Sequence, residues 1–154
     1  MLIPPPVLAV LAAVVQRALS RTSPPPTRAR IASATVVAAG SAALLGGSLR
    51  QFRRRSTTVD PLHPDRATAL VTTGPNRVTR NPMYVGAAGL LASHGILRGA
   101  WVTVLPMAAF VVAIDRLQIR AEEEALQARF GADYAAYRAQ VPRWLGRPSG
   151  RGPR

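Results

Sequence analysis

The sequence predicts an all-α, polytopic membrane protein. It has about four transmembrane helices, the last two a tight hairpin, plus a short C-terminal interfacial helix. Two observations carry this. Apolar residues gather into four long blocks, and mean hydropathy is positive at +0.11 although the chain holds 20 basic residues, all of them arginine. Those arginines fall mainly between and just beyond the blocks, where a membrane protein meets anionic headgroups. At 154 residues the chain makes one membrane domain, 1–154.

The first block runs from Leu2 to about Leu19. Pro4, Pro5 and Pro6 stand at its entrance, where proline suits a first helical turn. A cleaved signal is the competing assignment, but no basic stretch precedes the apolar run, so a short retained helix is expected. A loop with Pro24–Pro26 and Arg21, Arg28 and Arg30 follows. The second block, Ile31 to Leu49, has no charge and is rich in Ala, Gly and Ser, residues that let helices approach closely in lipid.

The central loop, Arg50 to Pro82, carries seven arginines and the prolines Pro61, Pro64 and Pro75, which argue against a long helix. His63 lies here and reads as a solvated loop residue. The third block is Met83 to Leu97, with His94 near its end. Arg98-Gly99 makes a very short turn, and the fourth block, Ala100 to about Ile114, holds Trp101 at its start and Pro106, where a kink is expected. The helical pattern continues past Asp115 and stops near Gly131. A short helix from Asp133 to about Gln140 places Tyr134, Tyr137 and Val141 on a presumptive interfacial face. Residues 145–154 form a basic tail expected to be disordered.

Composition narrows function. The net charge of +13 needs an anionic partner, yet no basic helix with interleaved aromatics appears, so membrane lipids rather than nucleic acid are expected. The absence of cysteine excludes thiol nucleophiles and thiolate metal sites, and no second His stands near His94, so no metal site is expected. Four spans place the Arg-rich central loop and the C-terminal segment on one side, the cytoplasmic side of a bacterial inner membrane, although arginines around the first loop oppose this assignment.

Two polar segments flank the presumptive hairpin. In Arg80-Asn-Pro-Met-Tyr84, Pro82 suits a first helical turn and Asn81 a cap. The segment reads either as a capped membrane helix with a snorkelling arginine or as an anion site at a helix N-terminus. After the fourth block, Arg116, Arg120 and Glu123 are spaced i, i+4, i+7 and should share one helix face, flanked by Glu122 and Glu124. They read either as a solvated charge run or as paired groups at membrane depth that bind a cation. Together the segments suit a small zwitterion.

With these residues in place, the chain from about Thr57 to Trp144 resembles the isoprenylcysteine carboxyl methyltransferase and phospholipid methyltransferase superfamily. The matching residues are Leu70-Val71, Gly74-Pro75, Arg80 to Tyr84 with Gly86, and then Arg116, Ile119-Arg120, Glu122-Glu123 and Leu126. Phe130-Gly131, Tyr134, Tyr137 and Val141-Pro142 complete the match. The resemblance implies a methyltransferase-like core over 57–144 that uses S-adenosylmethionine and a lipid-like acceptor entering from the bilayer. It implies cofactor-binding roles for Arg80, Asn81, Pro82, Tyr84, Glu122 and Glu123, and catalytic roles for Arg116, Arg120 and Glu123. It leaves open a non-catalytic accessory or sensing protein of the same fold, and it says nothing of oligomeric state. Asn81 replaces a histidine of the eukaryotic carboxyl methyltransferases, which puts a prenylcysteine substrate in doubt. Asn76 stands where relatives often carry an aromatic residue.

Overall fold

The computed structural model describes residues 3–54 and 69–146; His63, Pro61, Pro64 and nearly all of the basic tail lie outside them. Five α-helices form among the described residues: α1 Pro5–Leu19, α2 Arg28–Arg54, α3 Pro82–Arg98, α4 Val104–Ala113 and α5 Arg120–Gln140. A 3-10 turn, Gly74–Arg77, precedes α3, and another, Trp101–Thr103, precedes α4. A π-helical turn, Ile114–Ile119, joins α4 to α5 without a break.

Several polar side chains are buried while many large apolar ones point outward. Gln16 is 0% exposed, whereas Val36 is 72% exposed and Val10, Val14, Leu105 and Val112 also face outward. A soluble helix shows the reverse pattern. Among the described residues two helices are long and apolar enough to cross a bilayer, Arg28–Arg53 and the continuous run Trp101–Gln140. The apolar part of the second run ends near Ile114, so α5 projects beyond the membrane-spanning segment. α1, at 15 residues, is shorter.

α2 lies along α3, and small residues permit the approach. A Cβ at Gly86 would stand 2.7 Å from Leu45 Cγ, and one at Gly89 would stand 2.1 Å from Ser41 Oγ. Ser93 Oγ then donates across the pair to Ala34 O at 2.8 Å. α1 packs on the other side, against α3 and α4. Gln16 fixes it there: Nε2 donates to Leu91 O at 3.1 Å and to Thr103 O at 2.8 Å, and Oε1 meets His94 Nδ1 at 2.8 Å. His94 is thus an interhelical hydrogen-bonding residue. Ala12, Tyr84, Leu91, Phe110, Ile114 and Ile119 form the apolar centre.

Two expectations need correction. Pro106 does not kink a helix. It is the third residue of α4, close behind the 3-10 turn Trp101–Thr103, and so stands in the opening turns of the run and not inside it. The face carrying Tyr134, Tyr137 and Val141 is not interfacial but buried, packed with Leu70, Leu126 and Phe130, and Tyr134 is 1% exposed. The break before this segment is one residue, Gly131, at φ 48° and ψ −117°, a conformation essentially reserved for glycine. That bend folds Tyr134 and Tyr137 back onto the segment before α3.

Candidate active site

The two polar segments do meet. Arg80, at the entrance to α3, donates from Nη2 to Glu123 Oε1 at 2.6 Å, and both side chains are nearly buried. Arg80 Nη1 donates to the carbonyls of Arg138 and Val141, each at 3.0 Å, and its backbone N–H donates to Pro142 O at 2.8 Å. Arg143 grips the other oxygen of Glu123 through Nη2 at 2.5 Å and reaches Asp115 Oδ1 at 3.3 Å. Trp144 Nε1 donates to Asp115 Oδ1 at 2.8 Å. The result is an ion network in which one carboxylate, Glu123, serves two guanidinium groups.

Arg80 is therefore not a free cation beside a helix end. Its charge is neutralised by Glu123, and its remaining bonds hold the C-terminal segment against α3. Asn81 occupies the cap position of α3, but its side chain makes no cap bond. Nδ2 donates instead to Arg143 O at 2.9 Å, and Thr79 Oγ1 donates to the same carbonyl at 2.8 Å. Capping chemistry gives way here to tertiary pairing.

Next to this network Glu122 faces another way. Tyr84 OH donates to Glu122 Oε1 at 2.5 Å, and Gln118 Nε2 donates to the same oxygen at 2.8 Å. The neighbouring carboxyls differ in acidity. Burial pushes the Glu122 carboxyl above the ordinary range, against the opposing hydrogen bonds of Tyr84 and Gln118. Burial acts the same way on Glu123, but hydrogen bonds and charge from Arg143 and Arg80 outweigh it and hold that carboxyl below the ordinary range.

A cavity of about 590 Å³ opens between α1, α2 and α3. Its walls are apolar, with Ala9, Val10 and Ala13 on one side and Leu45, Ala87 and Leu91 on the others. Asn76, Arg80, Asn81, Tyr84 and Glu122 gather at one end. His94 also contacts the cavity, ten residues along α3 from Tyr84, or about 15 Å at helical rise. The volume suits a drug-sized or cofactor-sized ligand. An apolar slot with one polar end suits an amphipathic one.

Of the residues expected in the site, Arg80, Asn81, Pro82, Tyr84 and Glu122 line this cavity. Glu123 sits behind it as the hub of the ion network. Arg116 and Arg120 stand apart from it: both are exposed, neither lines the cavity, and Arg116 meets only Asp115, at 3.8 Å, among the described residues. The spacing i, i+4, i+7 presumes an unbroken α-helix. The π-helical turn over Ile114–Ile119 takes more residues per revolution, so Arg116 and Glu123 no longer share a face. Ser48, Arg143 and Asp115 were not legible as site residues. Ser48 reads as helix packing, and Arg143 carries no spacing signal toward residues 20 and 28 positions earlier.

A helical protein with an outward apolar surface belongs to the class of helical membrane proteins. The comparisons specify the class further. The model of the phospholipid methyltransferase family matches residues 29–133, well over half of the chain. The chain belongs to the phospholipid methyltransferase family. It is also similar to an uncharacterised protein of Haemophilus influenzae, at 32% identity over 63 residues, covering 41% of this chain and all of that relative. No solved structure matches. Family membership makes membrane methyl transfer the chemistry to weigh against the cavity.

Proposed function

We propose that the protein transfers a methyl group from S-adenosylmethionine to a carboxylate or amine of an amphipathic, lipid-like acceptor at the membrane. The observation that carries this reading is the two-sided cavity, in which Tyr84 and Glu122 meet at the polar end of an apolar slot between helices. When bound, S-adenosylmethionine supplies an electrophilic methyl group on a cationic sulfonium. The donor set suits it: Glu122 offers a carboxylate to a cationic group, and the volume is ample.

The protein's contribution is positioning. Methyl transfer needs nucleophile, carbon and sulfur in line more than it needs an acid or base. Arg80 and Glu123 lock the start of α3 to α5, which fixes Tyr84 against Glu122. Gln118 holds Glu122 from its other side. The apolar walls exclude water and leave the acceptor chain in a lipid-like environment. The gap between α1 and α2 gives the acceptor a lateral path from the bilayer.

On a four-span reading, with α1, α2, α3 and the run through α4 as the spans, the Arg80 end would lie at one membrane face. Arg50, Arg53, Arg77, Arg138 and Arg143 belong to the segments at that end, which favours a cytoplasmic site in a bacterial inner membrane, against Arg17, Arg21, Arg28, Arg30 and Arg98 at the other end. The test is calorimetry of S-adenosylmethionine binding to the detergent-solubilised protein. Saturable binding weakened by Glu122→Gln is expected; no binding by the parent protein contradicts the reading.

A further inference from the structure

Three buried polar atoms in cavity-lining residues have no hydrogen-bond partner among the described residues: Ser48 Oγ, Asn76 Oδ1 and Arg80 Nε. Native proteins rarely leave such atoms unpaired without reason. Arg80 Nε belongs to a guanidinium whose other two nitrogens both donate, Nη1 to two carbonyls and Nη2 to Glu123. The other two atoms are different. Ser41, on the same helix as Ser48, donates to the carbonyl one turn back, Val37 O, at 2.7 Å. Ser48 makes no such bond although it is 0% exposed.

Asn76 is 4% exposed, and its position does not depend on its side chain. Its carbonyl accepts from Tyr137 OH at 2.7 Å, and its N–H donates to Thr73 O at 3.3 Å. The turn that bears it lies directly on α2, since a Cβ at Gly47 would stand 2.9 Å from Pro75 Cγ. The residues next in sequence to that contact are Ser48 and Asn76. The carboxamide is thus placed by backbone bonds on one side and by α2 on the other.

We propose that Ser48 and Asn76 form a hydrogen-bonding subsite at the polar end of the cavity that takes a cationic N–H group of a bound ligand. The Asn76 oxygen only accepts, and the serine hydroxyl can accept as well as donate. Glu122 lines the same end, while the charge of Arg80 is cancelled by Glu123. An ammonium therefore meets acceptors and a carboxylate, whereas an anion meets an arginine whose charge Glu123 already balances. Two sources carry this chemistry: the amino group of the methyl donor and an amine on the acceptor. The subsite rests on the methyltransferase reading of the cavity.

The experiment measures binding, not turnover. S-adenosylmethionine and dodecylamine are titrated by calorimetry into the parent protein, Ser48→Ala, Asn76→Leu and Asn76→Asp in detergent. Asn76→Leu should weaken one probe about 10-fold, as loss of a charge-assisted hydrogen bond does. Ser48→Ala should weaken the same probe, and Asn76→Asp should hold or tighten it. Selective weakening of S-adenosylmethionine assigns the donor's amino group; selective weakening of dodecylamine assigns the acceptor. Equal binding of both probes by parent and variants overturns the subsite while leaving the methyltransferase reading intact. So does an Asn76→Asp loss as large as that of Asn76→Leu. Failure of the parent to bind either probe overturns both.

Discussion

Arg80 Nη2 lies 2.6 Å from Glu123 Oε1, joining a residue two positions before α3 to the first turn of α5 across 43 positions of sequence. Breaking this pair should unfold the site. Arg80→Leu leaves Glu123 with Arg143 alone and frees the carbonyls of Arg138 and Val141. Glu123→Ala leaves two guanidinium groups without their shared carboxylate. Removal of one partner of a buried pair costs about 3–5 kcal/mol. Thermal unfolding in detergent should show a large fall in Tm for both variants. Arg80→Lys should not rescue, because an ammonium cannot reproduce the three-way fork.

Glu122→Gln separates chemistry from stability. Glutamine keeps the shape and can still accept from Tyr84, so Tm should hold or rise. Methyl transfer should fall about 10–100-fold if the carboxylate charge orients the cofactor, a loss of about 1.4–2.7 kcal/mol in transition-state stabilisation. Steady-state kinetics with both substrates varied is the measurement. Tyr84→Phe removes one hydrogen bond to the same oxygen and should lower activity less.

The neighbouring glutamates give opposite pH signatures. Glu123 has a folded-state pKa below its unfolded value of 4.5, so it stabilises the fold above that value. This contribution is lost as pH falls through the depressed folded value. Glu122 has a folded-state pKa above 4.5, so its contribution is full below that value and is lost as pH rises through the raised one. Tm measured from acid to neutral pH should therefore lose its acid limb in Glu123→Gln. In Glu122→Gln it should lose the decline on the rising-pH side.

Gly131 sits at φ 48° and ψ −117° with open space where a Cβ would go. Gly131→Ala tests backbone strain free of steric clash. A residue forced into that region costs about 1–3 kcal/mol. The expected readout is a lower Tm together with greater proteolysis after Phe130, since Tyr134 and Tyr137 rely on this bend to pack.

Much of the helical framework was legible because apolar blocks and boundary prolines are local signals. α3 begins at Pro82 and ends at Arg98 for reasons written in those residues. The meeting of Arg80 with Glu123 was foreshadowed by the short turn at Gly99, which returns the chain to the same end. What was not legible came from long-range or register effects. The π-helical turn after Ala113 has no sequence signature of its own, yet it shifts the register between Arg116 and Glu123. Asn81 looked like a cap, but Arg143 O competes for its side chain from 62 residues away. Tyr134 and Tyr137 fit an interfacial pattern and a buried pattern equally well, and only the bend at Gly131 distinguishes the two.

The most direct test is methyl transfer in proteoliposomes. S-adenosylmethionine labelled in its methyl group is supplied from outside to protein reconstituted in native bacterial lipid, and label is counted in the lipid-extractable fraction. The parent protein should move label into that fraction in proportion to time and enzyme, and Glu122→Gln, folded by its Tm, should move far less. Label that never enters the lipid fraction from a folded parent protein across a full lipid extract contradicts the assignment of the cavity to methyl transfer on a lipid-like acceptor.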